Sequence, residues 1–572
     1  MKRSKAIIYT LAILLILLVL IKFARPVINS LKHKDSKRTD EQLLAIFDRS
    51  YPSATQLAGE ITHYQISWKS TTTELNKQEL LGMLAKGDLL ITVETLFEGV
   101  LDDDNVLMEV SAGKLDDRIK ELANAVAGSK HKVYVRFDPD MEVPVKMYPW
   151  QYKSAPEYIK AFNYFARVFK RYAPNAKIVW GPSGYPGDNE YWPGNKEVDY
   201  VSITLGSQSE NSLNVYPFAK TVPEMLRQKL HRLRFINKPV LILGSNRATK
   251  NNFQAVWLTD ELNYMNQFSG TAYSVKNYFD SVAIKPVRQN LKVGVFDPAQ
   301  KLLGQKNITV EHVFADWGDV QRGDFEKRFN EVINRHHDVI VTMEPWRDTT
   351  SKTDTIDLKQ ILSGRFDNEI KKLFGILAST KQVVYLRWMH EMEIPIHRYA
   401  WQSQDPVTYI TAFRYFMQFE GGPAKNVKRV WGPAGDRGSI DFWPGSDVVD
   451  YISIAIYGLP DKNITDPNKQ EAFSTIFNRK FYRMRFADKP LFITEFGVKG
   501  PVDYQDKWLA DAAETIRLNP HVFGVCYFNL YDNPKAWGKI KAPDWSITPA
   551  SMDGFTKLLG NHVNTGLTDS GN

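Results

Sequence analysis

The chain has 572 residues, too many for one ordinary hydrophobic core, so two domains of roughly 250 residues each are expected. With 43% hydrophobic and 12% aromatic residues, including 14 Trp, its composition is globular rather than disordered or fibrous. The net charge of +8 is spread among mixed acids and bases without a basic stripe, which argues against nucleic acid as a partner.

Ala6 to Ile21 is an uncharged run of sixteen residues, preceded by Lys2, Arg3 and Lys5 and followed by Lys22 and Arg25. The run is short for a membrane span, but flanking basic side chains can snorkel and lengthen it. No small-x-small cleavage site follows, which favours an uncleaved single-pass anchor over a cleaved signal peptide. The leading segment is then cytoplasmic and the rest of the chain extracytoplasmic. Residues 1–40 thus read as stub, anchor and tether.

Beyond the tether the sequence repeats itself at an offset of 251. Residues 134–144 read YVRFDPDMEVP and residues 385–395 read YLRWMHEMEIP. The same offset pairs Trp150 with Trp401, Trp180-Gly181-Pro182 with Trp431-Gly432-Pro433, and Trp192 with Trp443. A register held over this length indicates a tandem duplication. In the first copy, 41–285, residues 44–48 read as the opening strand, 63–68 and 89–94 as the next two, and 277–280 as the last.

The second copy, 290–562, reads as eight apolar strands at 291–296, 310–315, 339–343, 383–388, 427–431, 449–456, 490–494 and 522–528. Helical spacing lies between most of them, as at 406–419, 469–485 and 505–517. Such alternation fits a closed (β/α)8 barrel. Asp297-Pro298-Ala299 after the first strand is unlike the glycine-rich loop of a doubly wound sheet. The expected fold is therefore α/β, two tandem (β/α)8 TIM barrels preceded by one N-terminal transmembrane helix. With little spacer near 281–290, the barrels should pack against each other, and 563–572 should fray. Cys526, the only cysteine, sits between Val525 and Tyr527 on an apolar strand and is expected to be buried.

Side chains at the carboxyl ends of barrel strands converge on one mouth. Glu391 follows the fourth strand, and Glu495 ends the apolar seventh. Two carboxylates flanking a pocket are what glycosidic bond cleavage requires, one protonated as the acid and one ionised. Trp388 and Met392 would desolvate Glu391 beside His390, while Tyr457 and Arg387 are candidate donors to Glu495. A structural Glu paired with Arg387 is the plainer alternative. Trp317, Trp346, Trp401 and Trp443 fall at or beyond strand ends, as sugar-stacking platforms or as core tryptophans. Asn529, after the eighth strand, completes the substrate-binding candidates. The His-Glu-Met-Glu run lacks the i,i+4 histidine pair of a zinc site, so neither metal nor cofactor is expected.

Three segments carry a family likeness: Arg387-Trp388-Met389-His390-Glu391-Met392, Trp443-Pro444-Gly445 and Ile493-Thr494-Glu495-Phe496-Gly497. With Val341-Thr342-Met343-Glu344-Pro345-Trp346 and Ile361-Leu362-Ser363-Gly364, they make the second half resemble glycoside hydrolase family 26, within a clan of retaining (β/α)8 glycosidases. The resemblance implies Glu391 as acid/base, Glu495 as nucleophile, Tyr457 as a donor to that nucleophile, and Trp346 and Trp401 as stacking positions. The family is mainly β-1,4-mannanases, with some members acting on mixed-linkage β-glucan or β-1,3-xylan. Glu393 stands where many members have Asn, and Gly432-Pro433 departs from a Ser-Pro-Asn pattern; both departures are expected at substrate contacts.

In the first copy Asp140 replaces Glu391, Gly244 replaces Glu495, Gly206 replaces Tyr457, Pro139 replaces His390 and Leu96 replaces Trp346. Without a nucleophile it should not hydrolyse, and its remaining tryptophans suit either a glycan-binding or partner-docking module or a scaffold. The expected function is that of a membrane-tethered retaining endo-β-glycanase, its partners a polysaccharide substrate, the membrane and an envelope or polysaccharide-synthesis protein. β-Mannan, mixed-linkage β-glucan and a self-produced exopolysaccharide are the candidate substrates. The alternative is a non-hydrolytic glycan-binding or polysaccharide-assembly protein.

Overall fold

A computed structural model of the chain describes residues 42–48, 56–57, 61–68, 75–96, 106–144, 147–205, 221–244, 260–261, 284–287, 290–346, 358–395, 399–459, 469–534, 537 and 541–560. The proposed anchor at 6–21 and the first copy's last strand at 277–280 lie outside the described residues. Among the described residues, no helix is long and apolar enough to cross a membrane.

The second half forms a closed barrel of eight parallel strands: β9 (Lys292–Phe296), β10 (Val310–Asp316), β11 (Asp338–Glu344), β12 (Val384–Trp388), β13 (Val427–Trp431), β14 (Tyr451–Tyr457), β15 (Leu491–Gly497) and β16 (Val522–Phe528), with β16 pairing back onto β9. Because side chains alternate along a strand, residues two apart stack along the barrel axis. The lowest layer is apolar, with Val310, Ile340, Tyr385, Phe492 and Cys526 in one buried cluster. Two residues further along come His312, Thr342 and Arg387, a buried polar layer. Two more bring Phe314 and Glu344 to the rim. The barrel is thus plugged, and only its upper end is open to chemistry.

The first half differs from the expected second closed barrel. Its strands are β1 (Gln42–Phe47), β2 (Gln56–Leu57), β3 (Thr62–Ser67), β4 (Leu89–Glu94), β5 (Val133–Phe137), β6 (Lys177–Trp180), β7 (Tyr200–Leu205) and β8 (Val240–Gly244). They form an open sheet in the order β2-β1-β8-β7-β6-β5-β4-β3 among the described residues. β3 to β8 are parallel and repeat the register of the second half: Arg136 pairs with Val179 as Arg387 does with Val430. The opening segment departs. β1 runs antiparallel to β8, with a bulge between Leu43 and Ala45, where β9 of the second half is parallel to both neighbours. An apolar edge such as β8 (VLILG) needs main-chain partners, and antiparallel β1 supplies them while burying Leu43, Leu44 and Phe47.

The halves pack through a two-fold-like interface, built on the helices Val222–Arg232 and Phe473–Arg483 and on the short turns Asp188–Tyr191 and Ser439–Phe442. Arg234 donates to Ile440 O at 2.7 Å, and Arg485, 251 positions on, donates to Asn189 O, 251 positions back. Arg232 pairs with Asp441 at 3.1 Å and Arg483 with Glu190 at 3.1 Å. His231 Nε2 lies 2.6 Å from Asp441 O, and Tyr482 OH donates to Glu190 O at 2.7 Å. Phe235 stacks on its own counterpart, Phe486, with centroids 5.4 Å apart. Reciprocal contacts of this kind are the signature of an isologous, dimer-like interface, here made within one chain.

Candidate active site

A cavity of about 350 Å³ opens at the carboxyl end of the closed barrel. Glu344, His390, Glu391, Tyr399, Tyr457 and Glu495 are among its lining residues, so the two carboxylates singled out in the sequence share one space.

Glu495 interrupts an otherwise apolar strand, and both of its oxygens are engaged. Arg387 forms an ion pair with Oε1, and the Tyr457 hydroxyl donates to Oε2 at 2.8 Å. Arg387 is itself fixed from below: its Nε donates to Thr342 Oγ1 at 2.8 Å, which lies 2.7 Å from His312 Nε2. Burial, and next the Arg387 charge, push His312 well below its ordinary range, so the ring stays neutral. Burial also pushes the Tyr457 hydroxyl well up, and Glu495 adds to this; the hydroxyl therefore remains a donor. A guanidinium and a phenol aimed at one carboxylate stabilise negative charge on it. Gly432 makes room for this: a Cβ there would sit 2.6 Å from Arg387 Cδ and 2.7 Å from Cγ.

Glu391 follows β12 in a bend where Met389 (φ 48°) and Glu391 (φ 54°) both adopt the left-handed conformation. For non-glycine residues this conformation is costly and persists only where the surroundings impose it. Here Glu391 N donates to Gly432 O (2.8 Å), Trp401 Nε1 to His390 O (2.7 Å), and the Gln402 amide to Glu391 O (3.1 Å). The bend leaves Glu391 partly exposed to the cavity. Glu393 is directed elsewhere. Its Oε1 accepts from Gly435 N (2.9 Å), Asp436 N (3.1 Å) and Ser439 Oγ (2.6 Å), so it ties down the loop after β13 instead of reaching the expected substrate contact.

The remaining predicted residues divide. His390 lines the cavity, with Nε2 3.9 Å from Glu344 Oε1. None of the four tryptophans does. Trp317 (0% exposed) stacks on Phe366, and Trp443 (5%) packs edge-on against Trp431. Trp401 (0%) lies parallel beneath Tyr399 with centroids 4.7 Å apart, and Trp346 (3%) meets both edge-on while donating to Glu344 at 3.2 Å. Trp346 and Trp401 therefore back the wall from behind, and of that cluster Tyr399 is the ring presented to the cavity. Asn529 is buried: it donates to Asp297 at 3.0 Å and accepts from Ile547 N at 3.0 Å, which makes it a joint between strand ends.

Several lining residues were not singled out in the sequence. Glu344 carries the same signal as Glu495, an acid after an apolar strand, and that signal would have been enough to single it out. Trp537 and Trp545 lie in irregular chain after β16, where no periodicity marks them. Trp545 packs on Tyr457 with centroids 4.7 Å apart, and Trp537 Nε1 donates to Asp532 at 2.9 Å. In the first half the matching bend survives, with Asp138 at φ 39° and Asp140 at φ 59°, but β8 ends in Gly244.

No family model matches the chain. The β-1,3-xylanase TXYA of Vibrio sp is 28% identical over 158 residues, 26% of this chain and 30% of that protein. A β-1,3-xylanase of Alcaligenes sp is 26% identical over 155 residues, 26% of this chain and 29% of that protein. The chain thus spans less than a third of the curated relatives it matches, and those relatives are glycoside hydrolases. Among solved structures, the Podospora anserina GH26-CBM35 β-(1,4)-mannanase is 15% identical, with 47% of this chain and 64% of that one covered at a TM-score of 0.31. A Cellulomonas fimi endo-β-1,4-mannanase double mutant is 14% identical, with 48% and 71% covered at a TM-score of 0.34. Superpositions this loose add nothing to the fold described above.

Proposed function

We propose that the chain is a retaining endo-β-glycanase with Glu495 as nucleophile and Glu391 as acid/base. The observation that carries this reading is the pair of carboxylates lining one cavity, one clamped by Arg387 and Tyr457 and the other on a strained bend facing the opening. In the first step Glu495 attacks the anomeric carbon while Glu391 gives its proton to the departing glycosidic oxygen. In the second, Glu391 takes a proton from water, whose oxygen displaces Glu495 from the glycosyl ester. The clamp suits a nucleophile that must be ionised before attack and an ester leaving group after it.

The substrate is a neutral β-linked polysaccharide. Lysine and arginine at the cavity wall already have partners, Lys480 with Asp436 at 3.2 Å and Arg479 with Glu471 at 2.7 Å, which leaves little to attract an anionic sugar. The partial match to β-1,3-xylanases supports β-1,3-xylan beside β-mannan and mixed-linkage β-glucan as candidates. The uncharged N-terminal run supports a membrane tether with both halves extracytoplasmic, and hence action on a polymer close to the producing cell. The purified chain is to be incubated with these three polymers, with products read by mass and by the anomeric configuration first released. Release of oligosaccharides with retained configuration, lost in Glu391→Gln and in Glu495→Gln, is the expected result. Binding without release on every polymer would instead identify a non-hydrolytic glycan-binding protein.

A further inference from the structure

The interface between the halves departs from two-fold symmetry at Arg437, whose neighbour Asp436 lines the cavity. Arg437 has Pro186 as its counterpart at the 251 offset. It lies in the loop after β13, next to Asp436, and its side chain is buried against the first half. Its guanidinium sits over Tyr152 (5.1 Å to the centroid), Tyr185 (6.0 Å) and Tyr191 (6.0 Å). It donates to Glu142 O at 3.0 Å and lies 3.7 Å from Glu190 Oε1. Three aromatic faces, a carboxylate and a carbonyl form a cage for one cation, contributed entirely by the half that lacks a nucleophile. Gly187 (φ 90°) leaves the entrance open, since a Cβ there would come within 2.7 Å of Arg437 Nε.

The loop that Arg437 anchors leads directly to the reaction site. Ala434 and Asp436 line the cavity, and Asp436 pairs with Lys480, which also lines it. The amides of Gly435 and Asp436 are held by Glu393, two residues from Glu391. We infer that the first half acts as a positioning element for the catalytic half, with its Tyr152–Tyr185–Tyr191 cage gripping Arg437 and thereby setting the Ala434–Asp436 wall of the substrate cavity. This rests on the endo-β-glycanase reading for its kinetic consequence but not for its structural one. The wall lines the cavity that would hold substrate, so loosening it should act on binding before it acts on the carboxylate pair.

The test compares full-length Tyr152→Leu, Tyr152→Phe and Arg437→Gln with the wild type by amide hydrogen exchange and by steady-state kinetics. Tyr152 has φ 57°, so Leu and Phe carry the same backbone cost and only the aromatic face differs. The expected result is exchange on the order of tenfold faster at 434–439 in Tyr152→Leu and Arg437→Gln, with β10 to β12 unchanged and Tyr152→Phe close to wild type. KM should rise by a similar factor in the first two, with kcat within about twofold. Unchanged exchange at 434–439 in folded variants would overturn the inference, as would faster exchange spread evenly over the barrel. Should the wild type hydrolyse nothing, the exchange result still decides the inference, and the missing turnover counts only against the enzymatic reading.

Discussion

Replacing Tyr457 by Phe removes one oxygen and leaves the rest of the wall in place. The ring packs on Trp545 and Phe528, with centroids 4.7 and 5.9 Å away, and phenylalanine keeps both contacts. What disappears is the 2.8 Å hydrogen bond to Glu495 Oε2. A hydrogen bond to a charged group is worth about 1.5–3 kcal/mol. If Glu495 is the nucleophile, this bond holds the attacking oxygen in line and then accompanies its loss of charge, so most of that amount should appear in the barrier. At about 1.4 kcal/mol per factor of ten, kcat falls roughly 10- to 150-fold. Arg387 still holds Oε1, so activity should be reduced rather than abolished. The assay is steady-state hydrolysis of the best polymer from the panel, with melting temperature measured in parallel. A folded Tyr457→Phe enzyme within twofold of wild-type kcat would refute the assignment of Glu495 as the reacting carboxylate.

Gly432→Ala should act on the same carboxylate from behind: its methyl would displace the Arg387 stem, costing about 1–3 kcal/mol of stability and at least tenfold in kcat, and wild-type turnover would contradict the clamp. Trp317→Ala should lower stability by about 3–5 kcal/mol while leaving the KM of the folded fraction unchanged, whereas Trp537→Ala should raise KM with little change in melting temperature. Burial, with Asp140 adding, pushes the Glu142 carboxyl up to about 7 from 4.5, so the folded chain keeps a proton that the unfolded chain releases. Stability should therefore fall as pH rises through that window, by on the order of 3 kcal/mol. Melting temperature followed from pH 5 to 8 should drop in the wild type and flatten in Glu142→Gln; a rise in the wild type would contradict it.

The closed barrel was legible because each of its strands is a short apolar run flanked by helical spacing, and β13 and β16 begin and end where the pattern puts them. The antiparallel setting of β1 was not legible, because an apolar hexapeptide satisfies a sheet edge equally well in either direction. Glu391 and Glu495 stood out since nothing in core packing asks for an acid at those strand ends. The tryptophans misled for a related reason. Position after a strand end says that a side chain is near the mouth but not which way the bent backbone turns it, and in each case the indole turned inward. Trp537 and Trp545 face the cavity from chain without periodicity, where composition carries no directional signal.

The two halves also explain each other. The first has Asp140 and Gly244 where the second has Glu391 and Glu495, yet it keeps the bonds that shape the bend after β5. Trp150 Nε1 donates to Pro139 O at 2.7 Å, the Gln151 amide to Asp140 O at 3.1 Å, and Arg136 Nε to Thr92 at 3.0 Å, each the counterpart of a bond around Glu391 or Arg387. On the proposed mechanism, which needs a carboxylate where Gly244 stands, the bend has no chemical task in that half. Its neighbours give it another. Glu142 and Tyr152 follow it in sequence, and both contact Arg437 of the second half. The same local architecture that exposes an acid to the cavity in one half forms a receptor for a loop in the other, so one bend geometry serves two different purposes.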